Sequence, residues 1–126
     1  MKPKYQRPPL LRLKPSTIEG VGVFTDYAIR KGADLEGALF AKDDFRFWKR
    51  GQTTARERKL LKRYAAIITP EGFHGPKNLN QMSIGWYLNH SKTPNVGHIN
   101  WFYIALRDIK PGEELVMDYD TLVIEA

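Results

Sequence analysis

Residues 86–95 read WYLNHSKTPN, where an apolar and aromatic lead-in runs directly into three polar side chains. Pro94 fixes the exit from this stretch as a turn or an extended corner, because proline does not continue a helix. If they are buried beside the aromatic residues, the side chains of Asn89, His90 and Ser91 need hydrogen-bond partners. A second unusual stretch, GEELVMDY at residues 112–119, follows near the C-terminal end. We expect the two stretches to meet and form one site.

The length and composition of the chain indicate one globular domain. A chain of 126 residues supports one hydrophobic core but not two. Hydrophobic residues make up 42% of it, which excludes a disordered protein. The absence of cysteine excludes disulfides and thiolate zinc sites. No stretch approaches the ~20 apolar residues of a membrane span, so we expect a soluble intracellular protein without membrane contact.

The net charge of +6 is unevenly distributed along the sequence. Residues 1–63 hold 16 Lys and Arg against 7 Asp and Glu, a balance of +9, whereas residues 64–126 hold 4 against 7, a balance of −3. The basic half is typical of a solvated surface, and equally of a docking surface for nucleic acid or acidic partners. The acidic half is suited to a basic peptide. Composition leaves these alternatives open.

The chain is predicted to begin with a flexible basic arm and to continue as one mainly-β domain. Residues 1–9 are basic and rich in proline, which predicts the arm, and the domain then spans residues 10–126. Apolar patterns predict short strands at residues 10–14, 34–40 and 114–119 and another directly after Gly22. Residues 99–106 are apolar on both strand faces, which predicts a central strand covered on both sides.

Residues 41–85 are predicted to form a helical insert. Thr54 and Glu57 have the spacing of a capping box, and the apolar positions 60, 61, 64, 67 and 68 keep one helical face until Pro70. The opposite face carries five cations: Arg56, Arg58, Lys59, Lys62 and Arg63. Such a basic face is typical of a phosphate-binding surface, and equally of an ordinary solvated helix face. The remainder of the insert is predicted as a surface excursion and loops.

Two glycines flank Val21 just before a predicted strand. Gly20 and Gly22 permit a tight backbone and the close approach of a ligand. They are not a dinucleotide-binding fingerprint, because the third glycine and the following helix are missing. Taken alone, the pattern indicates a turn.

Together these motifs make the chain resemble a known family. They are GVGVF at residues 20–24, NHS at 89–91 with PN at 94–95, ALRDI at 105–109, GEEL at 112–115 and DY at 118–119. In this order they resemble the SET domain of S-adenosylmethionine-dependent protein-lysine methyltransferases, over residues 10–120. The resemblance implies a β-clip of several short curled sheets with one helical insert. It also implies a C-terminal pseudoknot that brings Tyr119 beside Asn89.

The resemblance also implies roles for individual residues. Tyr119 matches the catalytic tyrosine, the alternative being an ordinary core tyrosine. Tyr103 and Met117 are assigned to the substrate channel. Six residues are assigned to binding of S-adenosyl-L-methionine: Gly20, Val21, Gly22, Tyr64, Asn89 and His90. Tyr64 also fits the apolar stripe of the predicted helix, so a core role stays equally open for it. His90 is not predicted as a general base, and no metal site is predicted.

The chain departs from the family pattern at two positions and at its end. Met117 stands where the family often has Phe or Tyr, which leaves the number of added methyl groups open. Lys92 replaces a frequent cysteine that supports a zinc-binding extension, and only residues 121–126 follow the DYD run. The missing wall of the lysine channel is expected from the short tail, from the substrate or from a second subunit, that is, a homodimer, or else it is not supplied at all.

Two functions therefore compete at this point. The first is methyl transfer to a lysine of a protein substrate, with a cytoplasmic location, or a nuclear or nucleoid-associated one if that substrate binds DNA. The second is a SET-like binding module that uses the basic half of the chain on nucleic acid or acidic partners. The complete catalytic set favours the enzyme, because a binding module does not need it.

Overall fold

The computed structural model describes residues 8–100 and 102–122, which form two sheets. Six strands make the main sheet: β1 (Leu11–Pro15), β2 (Val21–Thr25), β6 (Asn89–His90), β7 (Val96–Ile99), β8 (Phe102–Ala105) and β9 (Glu114–Met117). Its order is β1-β2-β9-β7-β8, and β6 also pairs with β9. Three strands in the order β3-β5-β4 make the second sheet: β3 (Arg46–Lys49), β4 (Ile67–Thr69) and β5 (Gly72–Gly75).

Two helices and three 3₁₀ turns complete the described part of the chain. The helices are α1 (Glu36–Leu39) and α2 (Ala55–Tyr64), and the turns cover Arg50–Gln52, Ile84–Tyr87 and Tyr119–Thr121. The predicted capping box is confirmed, since the side chain of Thr54 accepts from the Glu57 amide and the Glu57 carboxylate accepts from the Thr54 amide. Neither helix is long and apolar enough to cross a membrane.

Strand β9 lies at the centre of the main sheet. It pairs antiparallel with β2, where Val23 faces Leu115, and parallel with β6 and β7. The pairing places Asn89 opposite Val116 and His90 opposite Met117. The expectation that the two unusual stretches meet is therefore confirmed. The predicted pseudoknot stays a prediction.

The buried Asn95 explains part of the polar character of residues 86–95. Its side chain is 1% exposed, donates to the carbonyl of Glu114 at 2.8 Å and accepts from the amide of Val116 at 2.8 Å. The Asn95 carboxamide thus forms hydrogen bonds with the backbone of β9 like those of a neighbouring strand. The same two bonds satisfy the buried amide and carbonyl groups of its side chain.

Each sheet has its own hydrophobic cluster. The larger cluster packs the main sheet against α1 and includes Val23, Leu39, Val96 and Leu115. The smaller consists of Trp48, Leu61 and Phe73, between α2 and the second sheet. The segment predicted as a helical insert thus contains a three-stranded sheet in addition to its helix.

One predicted element beside the insert was wrong, and the predicted helix of the insert is confirmed except for its end. Residues 34–40 were predicted as a strand, but Glu36–Leu39 form a helical turn that buries Leu39. The helix predicted over 54–68 ends at Tyr64, because Ala65 is already extended and Ile67–Thr69 pair with β5. The apolar spacing misled because two of its positions are open to solvent: Leu60 is 44% exposed and Ile68 48% exposed.

The predicted central strand at residues 99–106 was also wrong. The chain reverses between β7 and β8, where Asn100 has a φ of +49°, a left-handed conformation that asparagine tolerates better than most residues. Ile99 and Phe102 are 62% and 64% exposed, so β8 is an edge strand and not a doubly covered one. Of the predicted arm, residues 1–7 lie outside the described residues.

Candidate active site

Three neighbouring cavities share wall residues, and Tyr119 lines two of them. The middle one, the narrow cavity, has a volume of about 40 Å³ and is lined by Tyr64, Tyr103, Met117 and Tyr119 among others. On one side it shares Arg63, Tyr64, Trp86, Leu88 and Tyr119 with a larger cleft of about 510 Å³. On the other side it shares Phe40, Ala66, Trp86 and Tyr103 with a pocket of about 240 Å³. We call these the cleft and the acidic pocket.

The cleft lies between helix α2 and the strands β2 and β6. Helix α2 contributes Lys59, Lys62 and Arg63, while Val21 begins β2 and Asn89 begins β6. The guanidinium of Arg63 pairs with the carboxylate of Glu19 at 2.8 Å. The two lysines form no ion pair within the described residues, so the cleft has an excess of positive charge.

The two glycines predicted to contact a cofactor lie against the ends of side chains from elsewhere in the protein. At Gly20 the φ is +47°, and a Cβ there would lie 2.5 Å from Nη2 of Arg63. At Gly22 a Cβ would lie 2.2 Å from Oε2 of Glu114. Neither glycine lines the cleft, whereas Val21 between them does. The left-handed φ favours glycine at position 20, and cofactor contact by Gly20 and Gly22 stays a prediction.

Asn89 ties the glycine segment to β9. Its Nδ2 lies 3.1 Å from the carbonyl of Glu19, 3.2 Å from that of Val21 and 2.9 Å from Oε2 of Glu114. The same Glu114 carboxylate accepts from the Ser16 hydroxyl at 2.7 Å. Asn89 lines the cleft and is 8% exposed, so it holds together the wall that any ligand there would touch.

Tyr119 lies where the cleft and the narrow cavity meet. Its hydroxyl donates a hydrogen bond to the carbonyl of Leu88, and its backbone amide donates to Nδ1 of His90 at 3.0 Å. Burial, followed by the negative charge of Glu19, raises the pKa of the Tyr119 phenol. The phenol is therefore protonated at neutral pH and acts as a hydrogen-bond donor, not as a base.

His90 positions the Tyr119 backbone and does not line any of the three cavities. Because its Nδ1 accepts from the Tyr119 amide, the neutral ring carries its proton on Nε2. The ring also lies 5.1 Å from the Tyr119 ring, centroid to centroid. Cofactor binding by His90 and the absence of a role as general base both stay predictions.

The remaining predicted site residues gather around the narrow cavity. Tyr64 lines both the cleft and the narrow cavity and packs edge-on against Tyr87, with ring centroids 5.1 Å apart. Its packing and its place in the cavity wall are thus compatible with each other. Met117 is 3% exposed and Tyr103 6% exposed, and both face the narrow cavity. Burial, followed by the charge of Glu36, strongly raises the pKa of Tyr103.

Lys92 occupies a cluster of side chains that the sequence spacing did not reveal. His90, Asp118 and Asp120 come close enough together to hold a metal ion. The ammonium of Lys92 lies 3.4 Å from Oδ1 of Asp118 and contacts Asp120 as well. An internal cation thus neutralises the two carboxylates that flank Tyr119.

Sequence reasoning missed the charged residues at both ends of the cavities. Lys59, Lys62 and Arg63 were interpreted as a solvated or nucleic-acid-binding face, yet all three line the cleft. Glu36 and Asp43 were not singled out, yet both line the acidic pocket. The lysines and Arg63 were detectable from their helical spacing; the acidic residues had no local signal.

Comparison with known proteins identifies the fold. A family model described as SET domain matches residues 20–120. A Plasmodium falciparum crystal structure described as a "putative histone methyltransferase" aligns with a TM-score of 0.55 at 18% identity, covering 86% of this chain and 91% of that chain. No curated protein matches the sequence. At this level of identity the structural likeness is one of fold alone.

Proposed function

Because the chain belongs to the SET-domain family, we propose that it is an S-adenosylmethionine-dependent protein-lysine N-methyltransferase. One observation carries the proposal: the narrow cavity shares wall residues with both the cleft and the acidic pocket, and Tyr119 lies in the wall that it shares with the cleft. Two reactants that enter through the cleft and the acidic pocket would be held in alignment beside Tyr119.

The cleft fits the proposed cofactor in size and chemistry. Its volume of about 510 Å³ is typical of a site for a ligand of this size. Lys59 and Lys62 offer unpaired positive charge to the cofactor carboxylate, and the rings of Tyr64 and Tyr87 offer apolar surface to its base. Val21 and Asn89 form the wall opposite α2. When bound, S-adenosylmethionine supplies an electrophilic methyl group.

The narrow cavity suits the side chain of a lysine. Its walls include Met117 and Tyr103, both almost fully buried, which give the methylene chain of a lysine an apolar and aromatic surface. The amine must be neutral to react, although its ordinary pKa is ~10.4. Such a low-dielectric environment lowers that pKa. The amine loses its proton to water before it reacts. The oxygen of the neutral Tyr119 then orients the amine by accepting from its N–H group, because the phenol proton is donated to the Leu88 carbonyl, and the nitrogen lone pair stays free to attack the methyl carbon.

The proposal is tested by binding and transfer measured on the same protein. Calorimetry should detect S-adenosylmethionine binding, and radiolabelled methyl groups should appear on lysines of a mixed protein substrate. Failure of both would exclude the proposed function. Mass spectrometry of the labelled proteins would then give the substrate, the lysine and the number of methyl groups, which Met117 leaves open.

The alternative of a nucleic-acid-binding module lacks an observation of its own. The predicted basic face of α2 includes three residues that line the cleft, and its Arg58 bonds to the carbonyl of Thr53 within the protein. Nucleic-acid contact stays a prediction, to be checked by salt-dependent binding. Homodimer formation also stays a prediction, to be checked by light scattering.

A further inference from the structure

The acidic pocket combines negative charge with aromatic surface. The carboxylates of Glu36, Asp43 and Asp44 line it together with the rings of Phe40, Phe45 and Trp86. The ring centroids of Phe40 and Trp86 are 5.2 Å apart and those of Phe45 and Trp86 6.3 Å apart. Carboxylates next to aromatic faces form an environment that attracts an organic cation.

The negative charge of this pocket is not neutralised by the protein. Within the described residues, none of its three carboxylates forms an ion pair with Lys, Arg or His. Asp44 accepts instead from neutral donors, namely the amides of Lys77 and Ser83 and Nε1 of Trp86. Although burial opposes it, this hydrogen bonding lowers the pKa of Asp44, which keeps the carboxyl group ionised.

A second, independent observation comes from Tyr103. This residue is 6% exposed and lies in the wall between the acidic pocket and the narrow cavity. Its hydroxyl has no hydrogen-bond partner in the described part of the chain, and it is not one of the polar atoms that are sealed from solvent. Tyr103 therefore offers a hydroxyl that is available for a hydrogen bond to water or to a ligand in these cavities.

We propose that the acidic pocket binds an arginine side chain of the protein substrate, a near neighbour of the target lysine, so that the enzyme selects basic segments. A guanidinium fits better than an ammonium, because it stacks on aromatic rings while it donates to carboxylates. The inference rests on the proposed function for the position of the target lysine. The shared wall of Phe40, Trp86 and Tyr103 places the two substrate side chains next to each other.

The test uses short peptides that contain a single central lysine. Arginine is moved through each flanking position, and citrulline, its neutral isostere, replaces it in the control peptides. Methyl transfer is measured as kcat/KM, and binding of the fluorescent peptides without cofactor is measured by anisotropy. At one flanking position, arginine should raise kcat/KM and tighten binding about tenfold relative to citrulline.

The variants are chosen to remove charge but keep the fold. Glu36→Gln retains the acceptor for the Tyr103 amide, and Asp43→Asn suits the left-handed φ of +62° at that position. The double variant should lose the preference for arginine. Glu71→Gln, which removes one exposed carboxylate far from the three cavities, should keep it.

The outcomes separate this inference from the proposed function. Equal transfer to arginine and citrulline peptides would overturn the inference and leave the function intact. An equal response to lysine in place of arginine would also overturn it. In a third outcome, no peptide is methylated, but the wild-type protein still binds arginine peptides more tightly than citrulline peptides and the double variant does not. That result would support the arginine-binding pocket and exclude the proposed methyltransferase function. If Glu71→Gln also lost the preference for arginine, the preference would depend on the net charge of the protein. That result would contradict a defined binding pocket.

Discussion

The cleft and the acidic pocket open onto the same narrow cavity but carry opposite charge. Lys59, Lys62 and Arg63 line the cleft, whereas Glu36 and Asp43 line the pocket. All five residues lie in the half of the sequence with a balance of +9, so that half is not one basic surface. In the folded protein, the basic residues line the cleft and the acidic residues line the acidic pocket. One side suits the anionic end of a cofactor, and the other suits a cationic substrate.

Removing the Tyr119 hydroxyl should have the largest effect on the rate of methyl transfer. Tyr119→Phe keeps the ring but cannot donate to the Leu88 carbonyl or orient an amine. We expect kcat to fall about a hundredfold with both KM values little changed. Steady-state kinetics over both substrates would measure this. Full activity in the variant would remove Tyr119 from the mechanism.

The pH profile of the wild-type enzyme sharpens the same point. Since burial raises the pKa of Tyr119 above its ordinary value of ~10, its ionisation should produce no inflection below that pH. The rate should instead rise with pH as the substrate amine loses its proton. An inflection near neutrality that disappears in Tyr119→Phe would show that the phenol acts as a base.

Neutralising the basic side should have the next largest effect. Replacing both Lys59 and Lys62 by Gln removes the unpaired charge of the cleft but leaves the Arg63–Glu19 ion pair in place. We expect the cofactor Kd to rise about tenfold, roughly 1.4 kcal/mol, as measured by calorimetry. The matched control is Lys49→Gln, an exposed lysine that does not line any of the three cavities.

The acidic side also has a structural carboxylate, and its removal should cost stability. Asp44→Ala leaves the amides of Lys77 and Ser83 without their acceptor, which we expect to lower the free energy of unfolding by about 1 kcal/mol. Because the folded pKa of Asp44 is lowered, its contribution is present above the ordinary carboxyl pKa and is lost as pH falls below it. Urea unfolding at neutral and acidic pH should show the two proteins converging in acid.

The smallest effect is expected at Lys92, outside the three cavities. Lys92→Met removes the cation between Asp118 and Asp120, the two residues that flank Tyr119. Exposed ion pairs contribute little, so we expect kcat to fall only about threefold, with an unchanged cofactor Kd. The difference from wild type should shrink at high salt. A loss as large as that of Tyr119→Phe would contradict this modest positioning role.

Local signals in the sequence located the site well but resolved the insert poorly. The capping box at Thr54 and the strand after Gly22 followed from local patterns, whereas the pairing of residues 86–95 with β9 followed from the family resemblance. The hairpin at Asn100 was missed because its turn depends on one left-handed residue inside an apolar run. The end of α2 was missed because Leu60 and Ile68 are apolar but exposed.

The partners of the polar residues could not be predicted, because they come from distant parts of the chain. Asn89 was expected to bind a cofactor, yet its Nδ2 contacts Glu114, 25 residues away, and the backbone of the glycine segment, about 70 residues away. The acidic pocket likewise depends on packing between α1, Trp86 and Tyr103. Such juxtapositions follow from topology, not from local pattern.

The central claim is that the cofactor binds in the basic cleft and the substrate in the acidic pocket. The most direct test measures the KM for the cofactor and the KM for the peptide substrate in each of two double variants. Lys59→Gln with Lys62→Gln should raise the KM for S-adenosylmethionine and leave that for an arginine-containing lysine peptide unchanged. Glu36→Gln with Asp43→Asn should do the reverse. An account in which cofactor and substrate enter from opposite sides would be contradicted if either double variant raised the KM of the other reactant, or of both equally.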